Sequence, residues 1–201
     1  MPAPSDSPRL TAPQRQQLIE QAATKLFAQR GFAATTVDDI VHAAGVTKPM
    51  LYRHFESKTE LCVALLERAR ADLIAAPLAQ FKPGVGDPRS QVPAMLDAWL
   101  EHVEQHPDAA RLLFTPITGD PEVERVQREL HALQSATQIA LLREFVPGLD
   151  EVEVQLMGDV LRGSLSAAAL WWLGRPEVPR EVPTRALVRS FQGIFTALSD
   201  H

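Results

Sequence analysis

Apolar residues recur along this chain at intervals of three and four, the period of a buried helix face. Leu18, Ile19, Ala22, Ala23, Leu26 and Phe27 form one such stripe, which stops at Arg30-Gly31-Phe32. Ile40, Val41 and Ala44 form a shorter one, and Leu51 and Phe55 pair at i, i+4. Ser57 to about Ala76 reads as a single helix of roughly 20 residues, about 30 Å long, stopped by Pro77. Residues 77–93, PLAQFKPGVGDPRSQVP, read as a Pro- and Gly-rich loop. Val92, Met95, Leu96, Trp99, Leu100 and Val103 then mark an amphipathic helix as far as Pro107. A shorter helix is expected from Asp108 to Phe114. A long one opens at Pro121, carries Val123, Val126, Leu130, Leu133 and Ala140, and ends near Pro147-Gly148. Two more follow, at about Glu151–Leu173 and Pro183–Leu198. No stretch alternates as a half-buried strand does, so the fold class is all-α.

The stretch from Thr36 to Lys58 has the densest grammar. Thr36 can cap a helix whose first turn carries Asp38 and Asp39, where the positive helix end favours acids. Gly45 can take the left-handed conformation that closes it. Thr47-Lys48-Pro49 opens a second short helix, and Ser57-Lys58-Thr59-Glu60 has the capping-box pattern for a third. Two short helices joined by a tight Gly turn make a helix-turn-helix, whose second helix enters the DNA major groove. With Leu51 and Phe55 inward, Lys48, Tyr52 and Arg53 fall outward and His54 lies at the edge. Lys58 sits in a first turn, where the helix dipole disfavours a cation. A DNA phosphate would relieve that cost, so Lys58 is expected on the DNA surface.

The run Thr36, Thr47, Lys48, Leu51, Tyr52, His54, Phe55, Ser57, Lys58 and Leu61, with Ala43-Ala44-Gly45-Val46 between, resembles the DNA-binding domain of TetR/AcrR transcriptional regulators. The resemblance covers roughly residues 13 to 68. It implies an N-terminal three-helix domain over 13–60, joined by a long fourth helix to a C-terminal regulatory and dimerisation domain over 61–201, with 1–12 as a disordered arm. It also implies a homodimer that binds a palindromic double-stranded operator, usually represses, and lets go when a small molecule enters the C-terminal domain. The DNA contacts expected are Thr36, Thr47, Lys48, Pro49, Met50, Tyr52, His54 and Lys58. Many relatives carry a small residue in place of Pro49, which biases Lys48 away from helical torsions and would start the reading helix a residue later.

Composition changes this picture only at the edges. The net charge of −5 argues against indiscriminate nucleic-acid binding. It divides unevenly: residues 1–75 carry nine Lys/Arg against eight Asp/Glu, and residues 76–201 eleven against seventeen. Cys62 is the only cysteine, a packing residue that forms no intramolecular disulfide and suits the reducing cytoplasm. No run reaches the roughly 18–20 apolar residues of a membrane span, so no membrane partner is expected. The first residues lack a signal-peptide layout.

The rest of the chain offers a pocket and an interface. Trp99, Phe114, Gln134, Thr137 and Trp171 are the candidate ligand-binding residues, a few polar groups among aromatics; the same aromatics could instead fill the core. Gly163, Ser164, Ser166 and Ala167 to Ala169 allow close helix approach. Leu187, Phe191, Ile194, Phe195 and Leu198 make the last helix apolar over a broad face. This pair of helices either packs into the core or meets its copy across a two-fold axis. His102 and His106 have metal-ligand spacing but no third partner, and no phosphate-binding or nucleophile motif is present, so neither metal, cofactor nor catalysis is expected. A ligand-responsive repressor leads, ahead of a DNA-binding regulator without a small-molecule switch and, last, a helical enzyme or carrier.

Overall fold

The computed structural model describes residues 11–145, 148 and 150–199, with side chains as far as Thr196. The expected arm before Thr11, the stop at Pro147 and the side chain of Leu198 lie outside the described residues. Among those residues the chain is all helical: α1 (Ala12–Arg30), α2 (Val37–Ala44), α3 (Lys48–Leu51), α4 (Lys58–Leu78), α5 (Val92–Gln105), α6 (Pro107–Phe114), α7 (Pro121–Phe145), α8 (Glu151–Leu173) and α9 (Glu181–Ser199).

Local chemistry accounts for most of these boundaries. Thr11 and Gln14 form a reciprocal capping box at the start of α1, and Thr36 and Asp39 form another on α2. Gly45, at φ 66°, ψ 30°, is the left-handed stop of α2. Asp150 caps α8 in the same manner. Ser57 accepts from the Glu60 amide, but the Glu60 carboxylate turns to the Glu56 amide instead, so the box expected there is half formed.

Prolines punctuate less strictly than the sequence suggested. α4 runs through Pro77 to Leu78, because proline costs that turn only its one amide bond and the Ala79 amide still reaches the Ala75 carbonyl. α3 begins at Lys48, not a residue later, with Pro49 in its first turn. A short 3-10 turn, Pro88–Gln91, lies within the expected loop.

α1, α2 and α3 close around Ile19, Phe27, Ile40, Leu51 and Phe55, and this core continues into Leu61, Leu65 and Leu66 of α4. From there it extends unbroken through Leu100, Val103, Leu113, Val123, Leu142, Val154 and Leu165. Arg68 of α4 grips Glu20 of α1. Arg180, ahead of α9, meets Asp97, Glu101 and Glu104 of α5 at 3.3–3.7 Å. Gln127 of α7 spends its whole carboxamide on α6 and the turn after it, accepting from the Ile117 amide and donating to the Leu113 and Thr115 carbonyls. Cys62 is fully buried, and burial pushes its thiol up to about 12.

α7 and α8 are in close contact at Gly158, where a Cβ would lie 2.5 Å from Ile139 Cγ1 and 3.4 Å from the Ser135 carbonyl oxygen. Gly158→Ala is therefore expected to force the two helices apart and cost about 1–3 kcal/mol, read as a lower urea midpoint. Unchanged or higher stability would show that Ile139 yields freely.

Candidate nucleic-acid interface and ligand cavity

Thr36, Thr47, Lys48, Pro49 and Tyr52 are exposed together at the N-terminal ends of α2 and α3 and along α3. Although α3 proper is four residues, helix-type bonds continue past it, from the Tyr52 amide to Lys48 and from the Phe55 amide to Leu51. This continuation presents Tyr52 outward while burying Leu51 and Phe55. Met50 and His54 are half-buried at its edges.

The threonines differ in what they can offer. The Thr36 hydroxyl donates to Asp39 Oδ2 at 2.6 Å, which holds the Asp39 carboxyl below the usual range. That hydroxyl is committed to the cap and has no proton left for a phosphate. The Thr47 hydroxyl makes no capping bond and is available. Lys48 Nζ lies 2.9 Å from Asp38 Oδ1, and this hydrogen bond raises the lysine further above its ordinary value. It is a full cation at neutral pH, and the pairing leans it against α2.

Lys58 is a correction. Its ammonium donates to the carbonyls of Phe32 and Thr35, at 2.9 and 2.8 Å, and lies 4.0 Å from the centre of the Phe32 ring. The cost of a cation in the first turn of α4 is met inside the protein, by two carbonyls and a π face, rather than by a DNA phosphate. Next to it, Thr59 Oγ1 donates to Asp120 Oδ2 at 2.8 Å, while Asp120 Oδ1 accepts from the first amides of α7. Gly119 lies against Ala33, so that a Cβ there would be 3.2 Å from the alanine's. The start of α4 is thus tied both to the α1–α2 turn and to the α6–α7 turn. No sequence pattern indicated the second tie.

At the far end of α4 the helices enclose a cavity of about 90 Å³. Leu73, Ile74, Pro77 and Leu78 of α4 line one side, Met95 and Trp99 of α5 another, and Gln134, Thr137, Gln138 and Leu141 of α7 a third. Trp99, Gln134 and Thr137 were expected here; the α4 residues were not among the candidates. Phe114 is buried behind Trp99, ring centres 6.0 Å apart, and does not reach the lining.

Trp171 is also corrected. The buried stripe of α8 is Val154, Gly158, Leu161, Leu165, Ala169 and Trp172. Its neighbour Trp171 therefore projects to solvent, under the Arg175 guanidinium at 4.4 Å. Trp172 is the inward ring, donating to the Val178 carbonyl. Leu187, Phe191 and Phe195, expected on a dimer face, are buried in their own chain's core, and the two phenylalanines line the cavity. Ile194 is partly buried against the same core. The broad apolar face of α9 is turned inward because α5 and α8 supply the surface it needs.

Residues 19–65 match the bacterial regulatory proteins of the tetR family. Over 106 residues the chain is 35% identical to the HTH-type transcriptional activator FasR of Mycolicibacterium smegmatis, covering 53% of this chain and 48% of that protein. Over 92 residues it is 37% identical to the HTH-type transcriptional repressor KstR2 of Mycobacterium tuberculosis, covering 46% and 45%. The chain thus spans about half the length of the curated relatives it matches. A TetR-like transcriptional regulator from Rhodococcus sp. RHA1 superimposes with a TM-score of 0.75 at 27% identity, covering 92% of this chain and 98% of that one. The helix-turn-helix segment is thus that of the TetR family of transcriptional regulators, on a fold shared with a TetR-like regulator over most of this chain. Its relatives include repressors and an activator. No helix among the described residues is long and apolar enough to cross a membrane.

Two lysines should separate on mutation. Lys58→Met is expected to lower stability by about 1–3 kcal/mol, the worth of its charged hydrogen bonds, and to leave the salt slope of DNA binding unchanged. Lys48→Ala should leave stability nearly unchanged and reduce that slope by about one. A reduced slope for Lys58→Met would return that residue to the DNA surface.

Proposed function

We propose that the protein is a cytoplasmic, ligand-responsive transcriptional regulator, acting as a homodimer on a palindromic operator. Thr47, Lys48 and Tyr52 contact the DNA, with Pro49, Met50 and His54 shaping the edge of the reading surface. The observation that carries this reading is the span of α4. One end is clamped to the helix-turn-helix through Lys58, and the other lines a largely apolar cavity with a few polar groups in its wall. The two ends are separated by roughly 25 Å of helix. A ligand that pushes on Ile74 or Leu78 tilts a lever whose short end holds the α1–α2 turn. A tilt of about 10° over that length moves the reader by roughly 4 Å, enough to break hydrogen bonds that fail beyond about 3.5 Å. The coupling required, about 1–3 kcal/mol, is ordinary for allostery.

The dimer reading is supported by the outer face of α8 rather than by the buried phenylalanines of α9. Val152, Leu156, Val160 and Trp171 are exposed by 75, 63, 44 and 46% respectively, with Gly163 and Ala167 completing one stripe between them. Among the described residues, and beyond each helix's own adjacent backbone, nothing lies within 4 Å of where a Cβ would stand on Gly163 or on Gly193 of α9. Glycine inside a helix costs about 0.5–1 kcal/mol relative to alanine, so an open glycine on each helix suits close approach by a second copy. Isologous pairing of the two stripes would remove their apolar surface from water.

Selection from a random pool of duplex DNA is expected to return a palindrome with half-sites about one helical turn apart; recovery of no common sequence would contradict the reading. Leu156→Arg should convert a micromolar dimer to monomer in sedimentation and weaken that palindrome at least about tenfold, since each half-site then binds alone. A wild-type monomer that holds the palindrome tightly would exclude the dimer.

A further inference from the structure

We propose that the cavity takes an uncharged, apolar molecule bearing a hydroxyl, whose one proton is donated to the side-chain amide oxygens of Gln134 and Gln138 in alternation. The inference rests on reading this cavity as the effector site. Among the described residues no Asp, Glu, Lys, Arg or His lines it; the side chains in its wall that carry polar groups are Gln134, Thr137 and Gln138 on α7 and, through its indole N–H, Trp99 on α5. Gln134 is only 3% exposed, yet its Oε1 has no hydrogen-bond partner, and neither does Oε1 of Gln138. Buried polar atoms are ordinarily paired, and an orphan costs stability. The same helix can satisfy such a residue: Gln127, seven and eleven residues earlier on the same side of the helix, uses both ends of its amide on the backbone. Gln134 and Gln138 are four residues apart, so both oxygens fall on one side of α7.

The chemistry of the occupant follows. The unpaired atoms are carbonyl oxygens, which accept. The Thr137 hydroxyl already donates to the Leu133 carbonyl at 3.1 Å, leaving its oxygen as a third acceptor. A ligand that itself only accepts leaves these atoms as they were. An ionised carboxylate would bring a charge into a wall without a cation, and an ammonium would find no carboxylate; buried unpaired charges are strongly disfavoured. A neutral hydroxyl meets the need, with its apolar remainder against Leu73, Met95, Trp99, Phe191 and Phe195. Entry is between Leu78, which is exposed, and the half-buried Thr137, Gln138 and Leu141.

Three probes of matched chain separate the possibilities: decanol, its methyl ether and decanoate at neutral pH, titrated into the full chain with thermal shift and tryptophan fluorescence as readouts. Decanol is expected to bind at least about tenfold more tightly than either, since a site built for a hydroxyl rejects analogues lacking one. Gln134→Leu should fold with an undiminished melting temperature, because an orphaned amide is replaced by a shape that needs no partner. Its preference for decanol over the ether should fall to within about threefold. Gln138→Leu makes the same test should Gln134→Leu fold poorly. Equal or tighter binding of decanoate or the ether, binding of none of the three, or a preference that survives both substitutions would overturn the proposal. Decanol that binds selectively but leaves operator affinity unchanged would support the ligand class and overturn the effector reading.

Discussion

An ammonium held by two carbonyls and an aromatic ring fixes where the long helix meets the DNA-reading helices. Lys58 occupies the first turn of α4, where a cation opposes the helix dipole, and takes up the carbonyls of Phe32 and Thr35 from the turn that launches α2. The Phe32 carbonyl also accepts from the Thr35 amide at 3.2 Å, so the lysine reinforces a turn that is already closed. The orientation of α2, and through Gly45 that of α3, thereby follows the axis of α4. The neighbouring bond from Thr59 to Asp120 sets the same end of α4 against the start of α7. Geometry at the reader is dictated from one helix terminus.

The opposite terminus is built loosely by comparison. Pro77 removes one backbone bond from the last turn of α4, and Leu78 is exposed at the cavity mouth. Across the cavity, α7 presents two amide oxygens without partners, whereas its earlier Gln127 is fully satisfied. Stability concentrates where α4 is clamped and is relinquished where the cavity opens, which is the distribution expected when binding sites draw on less stable regions. The proposed effector would supply the missing contacts and shift the helix in doing so.

Local rules made the helices legible: Thr36, Gly45 and Ser57 act in the structure as capping chemistry requires, and the apolar stripes of α1 and α5 are buried as their spacing demands, whereas that of α7 is buried at Val123, Val126 and Leu130 but leaves Leu133 and Ala140 exposed. Side-chain destinations were harder to read. Lys58 was recognised as out of place electrostatically, but its relief came from a loop 23 to 26 residues earlier in the chain, a tertiary contact that periodicity does not encode. Trp171 and Trp172 differ by one residue and about 100°, so only the phase of α8 against its neighbours decides which one faces inward. Phe191 and Phe195 belong to an apolar face that suits a core or a second copy equally well from pattern alone; in this chain α5 and α8 pack there.

If α4 and its Lys58 clamp carry the signal, cavity and operator are energetically coupled, and the coupling depends on that clamp. Calorimetric titration of decanol into free and operator-bound protein, for the wild type and for Lys58→Met, measures this directly. Linkage requires operator to weaken decanol by the same factor that decanol weakens operator. The proposed lever predicts that factor to be about tenfold in the wild type, within the usual allosteric range, and to approach one in Lys58→Met while both ligands still bind. Undiminished coupling in a folded Lys58→Met protein would contradict the lever and route the signal elsewhere.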